Sequence, residues 1–230
     1  MLAELIDLLA AVPPDASRGD HTAAIVDENV LGKATVATRR WTSQRLSELY
    51  ALDPRVPIFR VLRRLWLMDV PGRPLLAMLC ALARDPLLRS TASAVLALPV
   101  GAELVRSSFL DEVRQVAGTR LNEAVLEKVA RNAASSWAQS GHLRGRMRKM
   151  RMRVAPTPGS LTMALWLGAV EGLAGQALLD CLWTRVLDRS GHEVLPVALR
   201  AKQLGLLHAR AGGGVVEIDV SRVDPAAART

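Results

Sequence analysis

The sequence predicts a mainly α-helical protein, a helical bundle with winged-helix-like units and small β-hairpins. Three observations lead there. Half of the 230 residues are hydrophobic while aromatics make up only 3%, so the core must be built from Leu, Val and Ala, the composition of packed helices. Apolar residues recur at three- and four-residue spacing through most of the chain. Two short stretches, after Gly141 and after Gly205, switch instead to two-residue alternation, the period of a strand.

The elements follow in order. "MLAELIDLLAAVPPD" has the Leu and Ile spacing of a short amphipathic helix and lacks the basic start of a signal peptide. Residues 21–51 read as "HTAAIVDEN", a turn at Gly32, then "WTSQRLSELYAL". This is either a helix–turn–helix exposing Lys33, Arg39, Arg40 and Arg45, or two ordinary core helices with a solvated charge row. A helix over 54–69, opened by Pro54 or Pro57, carries Arg60, Arg63 and Arg64, and "PGRP" stops it. Helices are predicted over 75–83, 86–98 and 102–117, with prolines and Gly101 between them.

From Thr119 to Gln139, Leu121, Val125, Val129, Ala133 and Trp137 recur every four residues, widened by Leu126 and Ala130. That stripe is the expected core face. Lys128, Arg131, Asn132, Ser135 and Gln139 are left outside, and Gly141 suits the left-handed position that ends a helix. The run "SGHLRGRMRKMRMRV" follows. Its phase predicts a half-buried strand or hairpin, with Lys149, Arg151 and Arg153 outward, Met150, Met152 and Val154 inward, and a turn at Arg148-Lys149. His142 reads as an exposed wing histidine or a phosphate contact. Helices are then expected over 161–173, 176–186 and 193–204. A closing hairpin over 205–220 would turn Val216, Ile218 and Val220 inward, and "DPAAART" is expected to fray. The predicted units are 1–117, 118–158 and 159–230.

"QSGHLRGR" (139–146) and "QLGLLHAR" (203–210) share Gln, Gly, Leu and Arg at an offset of 64 residues. Both follow an amphipathic helix and lead into alternation, the order of a recognition helix and its wing. Duplicated winged-helix units and unrelated helix–strand junctions both fit.

Charge sharpens the functional reading. The net charge is +8, and it is uneven. Residues 1–30 carry six acids against Arg18, while residues 118–154 carry nine cations against Glu123 and Glu127. A basic patch of this kind suits an anionic partner. Arg144, Arg146, Arg148, Lys149, Arg151 and Arg153 could lie along a phosphate backbone, with Lys128, Arg131, Asn132 and Ser135 on the preceding helix. A solvated surface and an acidic protein partner are the alternatives.

Other classes fit poorly. The longest charge-free run, Val154 to Val170, contains two prolines, two threonines and a serine, so a membrane span of about 18 apolar residues is not expected. The four histidines are scattered, with no metal-ligand spacing, and no nucleophile elbow or phosphate loop occurs. "GAVEGLAG" reads as close helix packing through Gly168, Gly172 and Gly175. No cofactor, metal or catalytic residue is expected. Cys80 and Cys181 lie in apolar segments, as in a reducing, cytoplasmic setting.

These residues carry a resemblance. Lys128, Arg131 and Asn132, then Ser135-Ser136, Gly141, Leu143, the 144–153 run, Pro156-Thr157, Glu171-Gly172 and the 205–219 hairpin follow a familiar order. Over roughly residues 20–220 the pattern is similar to the BrxA family of BREX bacteriophage-exclusion systems. The resemblance implies a small, non-enzymatic, mostly helical accessory protein of a phage-defence system. Its partners would be double-stranded DNA and other proteins of that system.

Overall fold

In the computed structural model, which describes residues 1–212 and 215–224, the chain is mainly helical with two small antiparallel hairpins. The first five helices are α1 (Leu2–Ala11), α2 (Arg18–Val26), α3 (Val36–Tyr50), α4 (Pro57–Met68) and α5 (Arg73–Arg84). Their starts are chemically marked. Ser17 and Asp20 form a reciprocal capping box on α2, Thr35 caps α3, and Pro57 opens α4.

Capped by Thr35, α3 starts at Val36, five residues ahead of the predicted Trp41. Residues 27–35 therefore separate α2 from α3, a longer connection than the three or four residues of a helix–turn–helix. Most cations of this region are structural. Lys33 pairs with Glu4, Arg45 pairs with Glu48, and Arg39 donates to the Val26 and Lys33 carbonyls. The two-core-helix alternative describes the segment. Likewise Arg63 is buried and donates to the carbonyls of Leu9 and Val12 at the end of α1, groups the helix leaves unpaired.

The predicted helix 86–98 is broken into α6 (Pro86–Ser90) and α7 (Ala92–Leu96). Thr91 sits at the break. Its hydroxyl donates to the Leu88 carbonyl and accepts from the Trp137 indole at 2.8 Å.

At the centre lies α10 (Pro158–Val170), packed against α4, α5, α12 (Leu182–Arg185) and α13 (Leu195–Gln203). Residues 159–165, 167 and 168 are all buried. Thr157 and Ser160 cap it, and the buried Asp69 carboxylate accepts the Gly159 N–H at 2.8 Å. A Cβ at Gly159 would lie 2.5 Å from Asp69 Oδ2, so only glycine fits there. Gly168 also packs closely, against Leu178. Gly172 and Gly175 correct the expectation: both have positive φ and open space around them, so they turn the chain instead. The predicted helix 176–186 is split into α11 (Gly175–Leu179) and α12. Among the described residues, no helix is long and apolar enough to cross a membrane.

Two junctions share one geometry. α9 (Glu123–Gln139) ends on Gly141, with Gly141 N–H bonded to Ala138 and His142 N–H to Trp137. α13 ends on Gly205, with Gly205 N–H bonded to Lys202 and Leu206 N–H to Ala201. Both are Schellman stops with a left-handed glycine, displaced by the 64 residues of the sequence echo. The first leads into β1 (Leu143–Arg144) and β2 (Met150–Arg151), the second into β3 (His208–Gly212) and β4 (Val215–Asp219). The second hairpin faces as expected, with Val220 buried, Val216 and Ile218 half-buried, and Glu217 and Asp219 exposed. The rest of its Gly-rich turn and the tail from Pro225 on lie outside the described residues. Asp224, expected to fray, is buried and paired with Arg60 at 2.8 Å.

Candidate nucleic-acid interface

The basic region is built on α8 (Arg106–Ala117), α9 and the first hairpin. α8 and α9 pack together over a small apolar cluster of Val113, Ala117 and Leu126. The buried face of α9 is Leu126, Ala130, Ala133 and Trp137. This differs from the predicted stripe: Val125 is exposed, and Val129, which packs against that cluster, is only half-buried. The outer face is as expected, with Lys128, Arg131, Asn132, Ser135 and Gln139 exposed.

The hairpin has a third strand-like neighbour. Gly101 N–H donates to Arg151 O, Arg151 N–H to Ala102 O, and Leu104 N–H to Lys149 O, each at 2.8 Å. Glu103 bridges Met150. β2 therefore lies between residues 101–104 and β1. Along the chain the order is extended segment, α8, α9, β1, β2, and the first and last members pair.

The turn spans residues 145–149, so it takes in the expected Arg148-Lys149 but begins earlier. Gly145 opens it, at φ 113°, where a Cβ would sit 2.0 Å from the Arg148 carbonyl. Lys149 Nζ donates back to Gly145 O at 3.4 Å. The expected methionine-inward, arginine-outward alternation is also corrected. Met147, at the turn, is 91% exposed. Met150 and Met152 are half-buried.

Arg151 is 2% exposed and faces inward. Its guanidinium donates to Val95 O at 3.0 Å, to Met152 O and to both carboxylate oxygens of Asp188. Asp188 also accepts the Val154 N–H at 2.7 Å. A buried guanidinium needs acceptors and a counter-charge, and this cage supplies four hydrogen bonds, two of them to a carboxylate. Arg151 is thus an anchor of the hairpin and does not reach the surface.

His142 is corrected as well. It is fully buried, edge-on to Trp137 at 4.8 Å between centroids. Its Nε2–H donates to Val186 O at 2.6 Å and its Nδ1 lies 2.8 Å from Ser140 Oγ. Burial pushes its pKa down to about 4; the Val186 and Asp188 contacts oppose the shift and Arg151 adds to it. It is neutral at physiological pH and touches no solvent.

The remaining cations divide in two. Arg131 pairs with Glu127, itself held by Arg106; Arg148 pairs with Glu103 at 2.7 Å; Arg153 lies 3.9 Å from Glu193. Glu103 just precedes α8 and Arg106 opens it, so the Arg148–Glu103 pair and the Arg106–Glu127 pair are both tied to that end of α8. Lys128, Arg144 and Arg146 are exposed and, among the described residues, pair with no acid. Lys149 makes only its backbone contact.

Asn132, Ser135 and Gln139 have a second setting that the sequence did not signal. With Trp41, Arg45 and Glu48 of α3 they line a cleft of about 480 Å3. Trp41 is 55% exposed there. Gln139 also accepts the Leu2 N–H at 2.9 Å. Among the described residues no cluster of His, Cys, Asp or Glu is arranged to hold a metal ion. No family model matches the chain, and no curated protein or solved structure matches it either.

Proposed function

We propose that this chain is a non-enzymatic protein that binds duplex DNA mainly through phosphates, with residues 86–154 acting as a winged helix. The observation that carries the reading is the pairing of residues 101–104 with β2 around α8 and α9. It gives the strand–helix–helix–hairpin order in which α9 serves as the recognition helix and the 145–149 turn as the wing. Lys128, Arg144, Arg146 and Lys149 then supply the phosphate contacts, and Arg148 and Arg131 stand beside them. Glu123 and Glu127 occupy the first turns of α9, so the duplex is met from Lys128 onward. Arg151 has no direct contact in this reading.

The resemblance to the BrxA family supports a place in a BREX-type phage-defence system. A methyltransferase and a large ATPase encoded beside this chain is the expected gene neighbourhood.

Salt-dependent gel shift or anisotropy tests the binding. Changing Arg144, Arg146 and Lys149 together to Ala should weaken duplex binding and flatten the slope of log affinity against log salt by about 0.9 for each phosphate no longer neutralised. Arg210→Ala on the second hairpin should change neither. A wild-type chain that binds no duplex at about 50 mM salt overturns the proposal.

A second reading has one observation in its favour. Arg148, Arg131 and Arg153 already take carboxylates of this chain as partners, and an acidic protein surface would offer the rest the same groups. Under it the triple Ala variant loses a protein partner while duplex binding is absent throughout.

A further inference from the structure

Phosphate binding leaves one side chain of this surface unexplained. Met147 stands at the hairpin tip between Arg146 and Arg148, and it is 91% exposed. Among the described residues, the next most exposed large apolar side chain, Val170, reaches 65%. Single apolar residues on a surface are ordinary, but this one sits on a fixed support. Gly145 is locked under the Arg148 carbonyl, Arg148 is held by Glu103, and β2 is paired on both edges. Beneath it Arg151 pins the strand to Val95 and Asp188. The turn thus projects a flexible thioether chain, flanked by two guanidinium groups, from a rigid base.

Met147 contributes nothing to the core. A duplex offers it an environment that water does not. Apolar side chains enter base steps from the minor groove, and the negative potential of that groove draws arginines to its walls. We propose that Met147 is a minor-groove wedge, entering a base step of bound duplex while Arg146 and Arg148 hold the phosphates on either side, so that the DNA bends. This rests on the DNA-binding reading above and adds the groove, the inserted side chain and the deformation.

The test uses the full chain and a duplex of about 30 base pairs, a length on which bends are measurable. Donor and acceptor dyes sit at its ends, and 2-aminopurine reports unstacking. Wild-type binding should raise both energy transfer and 2-aminopurine emission. Met147→Ala should bind within about tenfold of wild type, because truncation removes the unstacking cost together with the favourable insertion. Its complex should keep the signals of free DNA. Met147→Leu should restore both. Wild-type binding without bending overturns the wedge and leaves DNA binding standing, as does a Met147→Ala complex that bends like wild type. Absence of any wild-type binding at low salt overturns both.

Discussion

The two helix–glycine–hairpin junctions are built alike and charged differently. Each ends a helix with the same pair of hydrogen bonds around a left-handed glycine, and each buries the leucine two residues on, Leu143 or Leu207. What surrounds that shared stop diverges. Trp137 and His142 fill the first; Ala201 and Leu206 occupy the same places in the second. In β3 and β4 acids stand opposite the outward basic residues across the ladder, Glu217 opposite Arg210 and Asp219 opposite His208. In the first hairpin Arg144 faces Met150. The second hairpin sets acids opposite its own basic side chains, whereas the first takes its acids from elsewhere in the fold, Glu103 for Arg148 and Asp188 for Arg151. The stop is set by a glycine and a buried leucine, so surface charge can change without disturbing it.

The most damaging way to break this comparison is to attack what only the first junction has. Arg151→Ala strands Asp188 without its cation, and Asp188→Asn leaves the buried guanidinium without its carboxylate; asparagine tolerates the positive φ of 53° at that position. Each should cost about 3–5 kcal/mol in urea unfolding, the usual penalty for halving a buried pair. If either variant unfolds at the wild-type midpoint, the anchor role of Arg151 is wrong.

His142 provides the next break, through pH. Its folded pKa of about 4 lies below the ordinary 6.5, so the unfolded chain binds a proton that the folded chain refuses. Its contribution is full above pH 6.5 and is lost as pH falls from 6.5 to 4, by about 3 kcal/mol in all. His142→Leu borrows the residue of the second junction. It should flatten this part of the stability–pH curve, whatever it does to stability at neutral pH. A curve of unchanged steepness between pH 6.5 and 4 would assign the acid sensitivity to other groups.

These two residues also mark where sequence reading stopped working. Helix starts were legible because prolines and capping hydroxyls act locally: Pro57, Pro86 and Thr157-Pro158 all open helices near where the sequence implied. The outer face of α9 was legible from its 3.6-residue period. The orientation of Arg151 was not. Alternation assigns every cation outward, and the carboxylate that reverses this is Asp188, 37 residues away. His142 was misplaced for the same reason, its partner carbonyl being Val186. The break at Thr91 depends on an indole 46 residues distant. Local chemistry writes itself into sequence, whereas a buried polar group is explained only by partners that folding brings to it.

The smallest expected effect tests whether the first hairpin's charge is partly held in reserve. Arg148 is exposed, yet it donates to Glu103 at 2.7 Å, and that bond holds the Glu103 carboxyl below its ordinary pKa range. The carboxylate therefore stays charged throughout the neutral range, beside the path proposed for phosphates. Glu103→Gln keeps the shape and frees the guanidinium. An exposed pair of this kind contributes little to folding, so the unfolding midpoint should not move. Duplex affinity should rise a few-fold at low salt, with a slope steeper by about 0.9 if Arg148 takes up one phosphate. The gain should vanish as salt screens the interaction. Glu217→Gln makes the same chemical change on the second hairpin, and it should leave affinity alone. Equal gains from both substitutions would mean that DNA responds only to total charge, and the distinction between the two hairpins would then carry no function.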